Sequence, residues 1–353
     1  MLNEFPEVHS ETEEPTQISG REAPIDPRRL VRDLHAFRDP SVGRSLRELA
    51  VTLAPFLALI AITLVAVEAG YVVALLLIAP ASLFLLRLFL IQHDCGHDAF
   101  FPSRRANDWL GRFLGVLTLT PYDCWKRSHA LHHSTTGNLD ARGFGDVDTL
   151  TVREFLGQNR WKRLLYRFYR HPVVLFGIAP TYLFLLRHRL PVGLMKAGSR
   201  YWVSALATNA TTVALVALGT ICFGLSTILF TFVPVVLLAA SLGVWLFYIQ
   251  HQFEEAHWDR GDDWSFHDAA LHGSSHLELP RALRWFTANI GIHHVHHLSS
   301  RIPFYRLPEV LERYPQLVSI NRFTAVESLK ALRYSLWDEQ QRRMVSFSAV
   351  SAR

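Results

Sequence analysis

The chain has 353 residues, half of them hydrophobic, and a formal net charge of +5. That length allows one large domain or two small ones; so mild a charge says little until it is mapped onto segments, and no nucleic-acid partner is expected. Cys95, Cys124 and Cys222 are far apart and form no CxxC pair, which argues against a disulfide framework and a zinc ribbon, while the acidic N-terminus has no apolar core of a secretory signal peptide.

Residues 1–27 are polar and Pro-containing and read as a disordered tail. Residues 28–48 mix charged with scattered apolar side chains and predict a short cytoplasmic helix. Residues 49–67 carry no charge, Glu68, Gly70 and Tyr71 make a turn, and residues 72–91 are apolar except for Arg87. Each block approaches the roughly 20 residues that cross about 30 Å of hydrocarbon, so the pair predicts a transmembrane hairpin. Arg87 lies one turn from its end, where a long side chain can snorkel to the interface. A second pair, residues 201–224 and 225–250, predicts another hairpin with a tight turn at 224–226. Two shorter apolar stretches, 110–121 and 173–186, are expected to lie in the interface or to re-enter from one side.

Sixteen Lys and Arg fall between His93 and Arg200, and neither hairpin turn contains one. The positive-inside rule therefore places both termini and the 93–200 segment in the cytoplasm. Within it, RWKRLLYRFYR (160–170) spaces Trp161, Leu164, Leu165 and Phe168 along one helical face, a basic amphipathic helix suited to anionic lipid. The expected division is a cytoplasmic tail and short helix (1–47), a membrane domain (48–310) and a cytoplasmic C-terminal segment (311–353).

Nine of the eighteen histidines fall in three clusters: His93 and His97; His129, His132 and His133; His293, His294, His296 and His297. Positions i, i+3 and i+4 share a helix face, so three short helical segments present eight imidazoles together, with His294 outside the pattern. So many neutral imidazoles packed closely leave polar nitrogens unsatisfied unless a metal takes them. Eight ligands exceed the needs of one ion, and no cysteine cluster indicates structural zinc. Imidazole suits Zn, Cu, Fe and Ni alike, so ligand type alone does not choose the metal. One Glu-x-x-His spacing, Glu254–His257, disfavours a carboxylate-bridged di-iron bundle, and the absence of HExxH disfavours a zincin protease.

The boxes HDCGH, HxxHH and HHVHH resemble those of the membrane fatty acid desaturases. PYDCWKRSHALHH (121–133), GNLDARGFGDVDTLTVREF (137–155), IQHQFEEAHW (249–258) and LPRALRWFTANIGIHHVHHLSSRIPFYRL (279–307) extend the likeness to the bacterial acyl-lipid group of Δ12 and Bacillus-like Δ5 type. The resemblance implies an all-α integral membrane protein with four transmembrane helices in two hairpins under a cytosolic helical cap. It implies two iron ions, O2 as co-substrate, and ligands at His93, His97, His129, His132, His133, His293, His296 and His297. His251, at the end of the fourth membrane helix, is a further candidate ligand. Asp94, Asp98 and Asp123 are candidates to accept the outer ring N–H of a ligand, and His294 to stand behind the ligand set. Asp148, and His276 and Leu277 after GSS, depart from the family's aromatic residues and bear on substrate rather than chemistry.

The expected reaction is oxygen-dependent desaturation of a lipid-linked or carrier-linked acyl chain in the bacterial cytoplasmic membrane, with the site facing the cytoplasm. His171-Pro172 lacks the glycines of a fused cytochrome b5, and no ferredoxin-like Cys spacing exists, so a separate donor, an acidic ferredoxin, is expected. Hydroxylases and ketolases share the boxes. A metal transporter is the alternative from another class, but it needs ligands at the membrane midplane, and the boxes lie outside the spans.

Overall fold

The computed structural model describes residues 27–143 and 145–351, so all but the last residue of the expected disordered tail lies outside them. Helix α1 (Pro27–Asp33) and a 3-10 turn precede the first long helix, α2 (Val42–Glu68). The Ser41 side chain accepts the Arg44 backbone N–H as an N-cap, and this starts α2 seven residues before its apolar block. After Gly70, at φ 88°, the chain returns through a 3-10 turn (Val72–Leu77) into α3 (Ile78–Gly96). Pro80 has no N–H to donate and sits in the first turn of α3, where none is needed.

Arg87 does not snorkel. It is 1 % exposed and turns into the protein, where it pairs with Glu48 (2.6 Å), donates to the Thr52 hydroxyl (3.1 Å) and the Trp285 carbonyl, and lies 4.0 Å above the Trp285 ring. A buried guanidinium needs a counter-ion and acceptors, and α2 and the Trp285 carbonyl supply them.

Helices α4 (Arg104–Leu117) and α5 (Tyr122–Thr135) follow, then strand β1 (Leu150–Thr151), α6 (Val152–Gly157), α7 (Arg160–Tyr169), a π turn and α8 (Ala179–Leu185). Helix α9 (Ser199–His251) is two helical segments joined at the non-helical backbone of Gly224 (φ 72°, ψ 151°). A straight helix of that length would reach about 80 Å. Instead Arg200 near its start bonds Asp123 of α5, and His251 at its end lies 4.7 Å from the His132 ring of the same short helix. The run therefore doubles back at Gly224, where the sequence places the turn. Glu68, at the end of the first hairpin, accepts the Thr227 hydroxyl just beyond that reversal.

Val42–Glu68, Val72–Gly96 and Ser199–His251 are long and apolar enough to cross a membrane, and only 17%, 33% and 28% of their apolar windows are buried within the protein. Exposed Ile62, Val65, Leu218, Ile221 and Phe230 make a surface that water does not tolerate and lipid does.

The remaining chain forms α10 (Phe266–His272), β2 (His276–Glu278), α11 (Arg281–Phe286), α12 (His293–Leu298), β3 (Arg322–Thr324), β4 (Leu336–Asp338) and β5 (Arg343–Val345). The protein is mostly helical but not all-α. Strand β4 pairs in parallel with β1 (Leu150 opposite Leu336) and antiparallel with β5, and β2 pairs in parallel with β3. These strands of two or three residues join distant parts of the chain and leave no alternating pattern to read. Residues after 310 thus pack into the cap. Arg170 fastens them, donating to the Tyr334 carbonyl, the Tyr248 hydroxyl and the Gln252 amide oxygen.

Candidate metal centre

Four helix ends meet where the apolar helices join the cap. Helix α3 delivers His93 and, at its C-cap, His97; α5 delivers His129, His132 and His133; α9 ends on His251; α12 delivers His293, His296 and His297.

Each helix is pinned from outside. Asp123 stands in the first turn of α5, where a negative charge is favoured, and accepts Arg112 (2.9 and 3.1 Å) and Arg200 (2.8 Å). The Tyr122 hydroxyl donates to the Cys95 carbonyl at the end of α3 (2.8 Å). Gly96 brings α3 and α5 together, since a Cβ there would lie 2.7 Å from the Trp125 indole. The indole in turn stacks on His129, centroids 4.6 Å apart at 16°. The first two N–H groups of α12 donate to the Ser275 carbonyl, and Ser275 N–H donates to the Gln250 carbonyl, which joins the third box to the end of α9. Asp94 accepts the Phe304 N–H (2.7 Å).

The nine imidazoles converge on two points. His93, His97, His129, His133 and His296 form one group, and His132, His251, His293 and His297 the other; within each group the candidate ligand atoms lie within 4.8 Å of one another. His251, set apart from the boxes in sequence, belongs to the second group.

The donor set fits metal ions. His132 presents Nδ1 to Asp146, and His251 presents Nδ1 to the Gly273 carbonyl (3.3 Å), so both Nε2 atoms carry lone pairs directed inward. Pairs of Nε2 atoms face each other at 3.0 to 3.2 Å: His97 with His129, His129 with His133, His133 with His296, and His251 with His293. His132 Nε2 and both ring nitrogens of His297 are buried with no hydrogen-bond partner. Burial, and then the neighbouring imidazoles, hold His97, His129, His133, His293, His296 and His297 well below the ordinary histidine value, so they are neutral. Neutral rings with opposed lone pairs are costly alone and are what a cation needs.

The other candidates lie around this centre. Asp94 Oδ1 is 3.5 Å from His93 Nδ1. Asp98 pairs with Lys126 and Arg104, and Asp123 is taken by its two arginines; neither is bonded to a box histidine. His294 turns away, its Nε2 on the Leu317 carbonyl (3.0 Å), and burial pushes it down to about 3. Glu254 pairs with Arg343 and accepts the Tyr334 hydroxyl. Asp146 is a contact that sequence reasoning missed: it lies in a loop fourteen residues beyond His132, with no spacing to reveal it.

Residues 32–321 match the family described as Fatty acid desaturase. The chain is 41% identical over 325 residues to a fatty acid desaturase of Bacillus subtilis, covering 92% of this chain and 91% of that protein. It is 30% identical over 262 residues to an sn-1 acyl-lipid omega-3 desaturase (ferredoxin) of Synechocystis, covering 71% and 70% of the two chains. It is 27% identical over 229 residues to an sn-1 oleoyl-lipid 12-desaturase of the same organism, covering 62% of each. With apolar helices bare of protein and a histidine-lined metal centre at their ends, this chain belongs to the fatty acid desaturase family and is a membrane-bound desaturase.

Proposed function

We propose that the enzyme introduces a double bond into the acyl chain of a membrane lipid, using O2 at two iron ions held by the five-histidine and four-histidine groups. The observation that carries this reading is the division of nine inward-facing imidazoles into two adjacent groups. Iron so held supplies oxygen activation strong enough to take hydrogen from an unactivated methylene. Turning CH2–CH2 and O2 into CH=CH and two waters consumes two electrons and two protons from outside the substrate.

The chain's own residues orient and enclose. Asp146 and the Gly273 carbonyl fix the tautomers of His132 and His251. Trp125, stacked on His129, gives the centre an apolar wall. An acyl chain offers no polar handle at the reacting carbons, and each methylene contributes only about 0.8 kcal/mol of burial, so the shape of the channel selects the bond.

We place four crossings in the bacterial inner membrane, with both termini and the three boxes in the cytoplasm, because the basic residues concentrate on that side. The electrons come from a separate ferredoxin; the Synechocystis omega-3 relative is named for one. Expression in a host lacking polyunsaturated lipids, with mass spectrometry of its lipids, tests the reaction: a new double bond is expected, and a hydroxylated or unchanged lipid overturns it. About two irons per purified chain are expected on the histidine count, and a single zinc overturns the metal assignment. A reporter fused after Arg353 should lie in the cytoplasm; finding it on the far side overturns the topology.

A further inference from the structure

An open cavity of about 70 Å³ lies between α5 and the segment after α8. Its apolar wall includes Trp125, Leu190 and Val192, and its polar wall Ser128, Arg187 and His188. One side chain separates it from the metal centre: Trp125 lines the cavity and stacks on His129. Leu190 and Val192 are 46% and 41% exposed, and Leu186 beside them is 64% exposed, so the cavity opens next to apolar surface suited to lipid.

The charge in this cavity is unusual for its surroundings. Arg112 and Arg200 share Asp123, and Arg189 is held by Asn209 and the Leu119 carbonyl. Arg187 is half-buried and makes no ion pair or side-chain hydrogen bond to any described residue, and among the described residues no carboxylate lines the cavity. His188 beside it carries a buried Nδ1 with no partner. Burial, then Arg189 and Arg187, hold His188 down to about 3, so it is neutral and the guanidinium is the cavity's one positive charge. An arginine without an ion-pair partner, lining a cavity with both apolar and polar walls, matches an anion carried on an apolar chain.

The geometry points to this cavity as the site that receives the phosphate-bearing end of the acyl substrate, with Arg187 as partner of the phosphate and the chain leading past Trp125 to the metal centre. This rests on the desaturase reading above. Two acyl donors share that chemistry, a glycerophospholipid and the phosphopantetheine thioester of a carrier protein.

The test uses iron-loaded enzyme in nanodiscs with ferredoxin as reductant and three donors: phosphatidylglycerol, an acyl-carrier-protein thioester and uncharged diacylglycerol. Arg187→Gln should raise KM about tenfold for whichever phosphate-bearing donor is used, leave kcat unchanged, and leave diacylglycerol unaffected. Arg187→Lys should recover part of the loss. The donor affected identifies the source of the phosphate. Native mass spectrometry of the iron-loaded protein gives a readout without turnover: Arg187→Gln and the cavity-filling Val192→Trp should both retain less phosphatidylglycerol at unchanged iron content. Equal KM values for every donor, an equal loss for diacylglycerol, or full lipid retention by Val192→Trp would each overturn the site. If the parent turns over no donor yet retains phosphatidylglycerol through Arg187, the desaturase reading fails and the site stands.

Discussion

The two halves of the metal centre are built differently. The five-histidine group takes members from all three boxes, and His97 and His129 in it are partly exposed. The four-histidine group is wholly buried, takes His251 from the end of α9, and has two rings fixed from behind by Asp146 and the Gly273 carbonyl. Helical spacing sorts the candidate ligands in a regular way. The i, i+4 pairs His93/His97 and His129/His133 stay together in the first group, and His293/His297 in the second. The i+3 members cross over: His132 leaves its box for the second group and His296 leaves its box for the first. The boxes therefore interlock, and neither point can form from one box alone.

That interlocking sets the largest expected effect. His133→Ala and His297→Ala remove one ligand from each group, and each should lower product at least about 100-fold while the protein stays in the membrane; lipid mass spectrometry and iron analysis check this. His132→Ala and His296→Ala should be as damaging, each losing iron from the group into which it crosses. If His132→Ala depleted the same iron as His129→Ala, the assignment of groups would be wrong.

Asp146→Asn should separate the two halves more gently. Losing the carboxylate behind His132 is expected to weaken metal binding about 10- to 100-fold and only in the four-histidine group, seen as one iron released early in a chelator titration. Asp123→Asn should release both irons together or neither, because Asp123 holds α5 rather than a ring.

Acid should distinguish the centre from the cap. In chelator-stripped protein, burial and the neighbouring rings hold His129, His133, His296 and His297 well below the ordinary histidine value of 6.5. Below that value the unfolded chain binds protons that the folded chain refuses, so stability falls as pH drops below about 6.5. The cap responds later. Burial raises the Glu154 carboxyl, but hydrogen bonds from Arg142 and the Thr151 N–H outweigh burial and bring it down to about 2. Its contribution is complete above about pH 4.5 and is lost only as pH falls toward 2. Thermal melts of stripped protein at about pH 7.5, 5.5 and 4.5 check the order: the loss should begin between about pH 7.5 and 5.5, before Glu154 contributes to it, and should keep growing to about pH 4.5. A cap that melts first would reverse the comparison.

The smallest effects lie outside both groups. His294→Ala removes a buried ring from the Leu317 carbonyl, so a stability loss of about 1–3 kcal/mol is expected with iron retained and activity measurable. A variant as inactive as His297→Ala would bring His294 into the centre. Reversing Lys162 and Arg163 to Glu should change stability by less than about 0.5 kcal/mol. Helix α7 also exposes Trp161, Leu164, Leu165 and Phe168, so the charge reversal should weaken its hold on anionic vesicles before it slows turnover with ferredoxin. Slower turnover at unchanged vesicle binding would make α7 the docking face for the electron donor instead.

Eight of the nine histidines of the centre are legible because a helix repeats every 3.6 residues, and that period writes one helical face as HxxxH or HxxHH. The apolar hairpins are legible because a bilayer sets their length, and the reversal at Gly224 because a left-handed backbone favours glycine there. Tertiary structure decided the rest. It divided the histidines between two points, drew in His251 from the end of α9, and placed Asp146 behind His132. It also turned Arg87 inward to Glu48 and built the cap's short strands from segments far apart in the chain, such as Leu150 and Leu336. Periodicity is a property of one segment and can be read along it. Which imidazole faces which, and which carboxylate stands behind it, depends on how separate segments pack, and no local pattern carries that information.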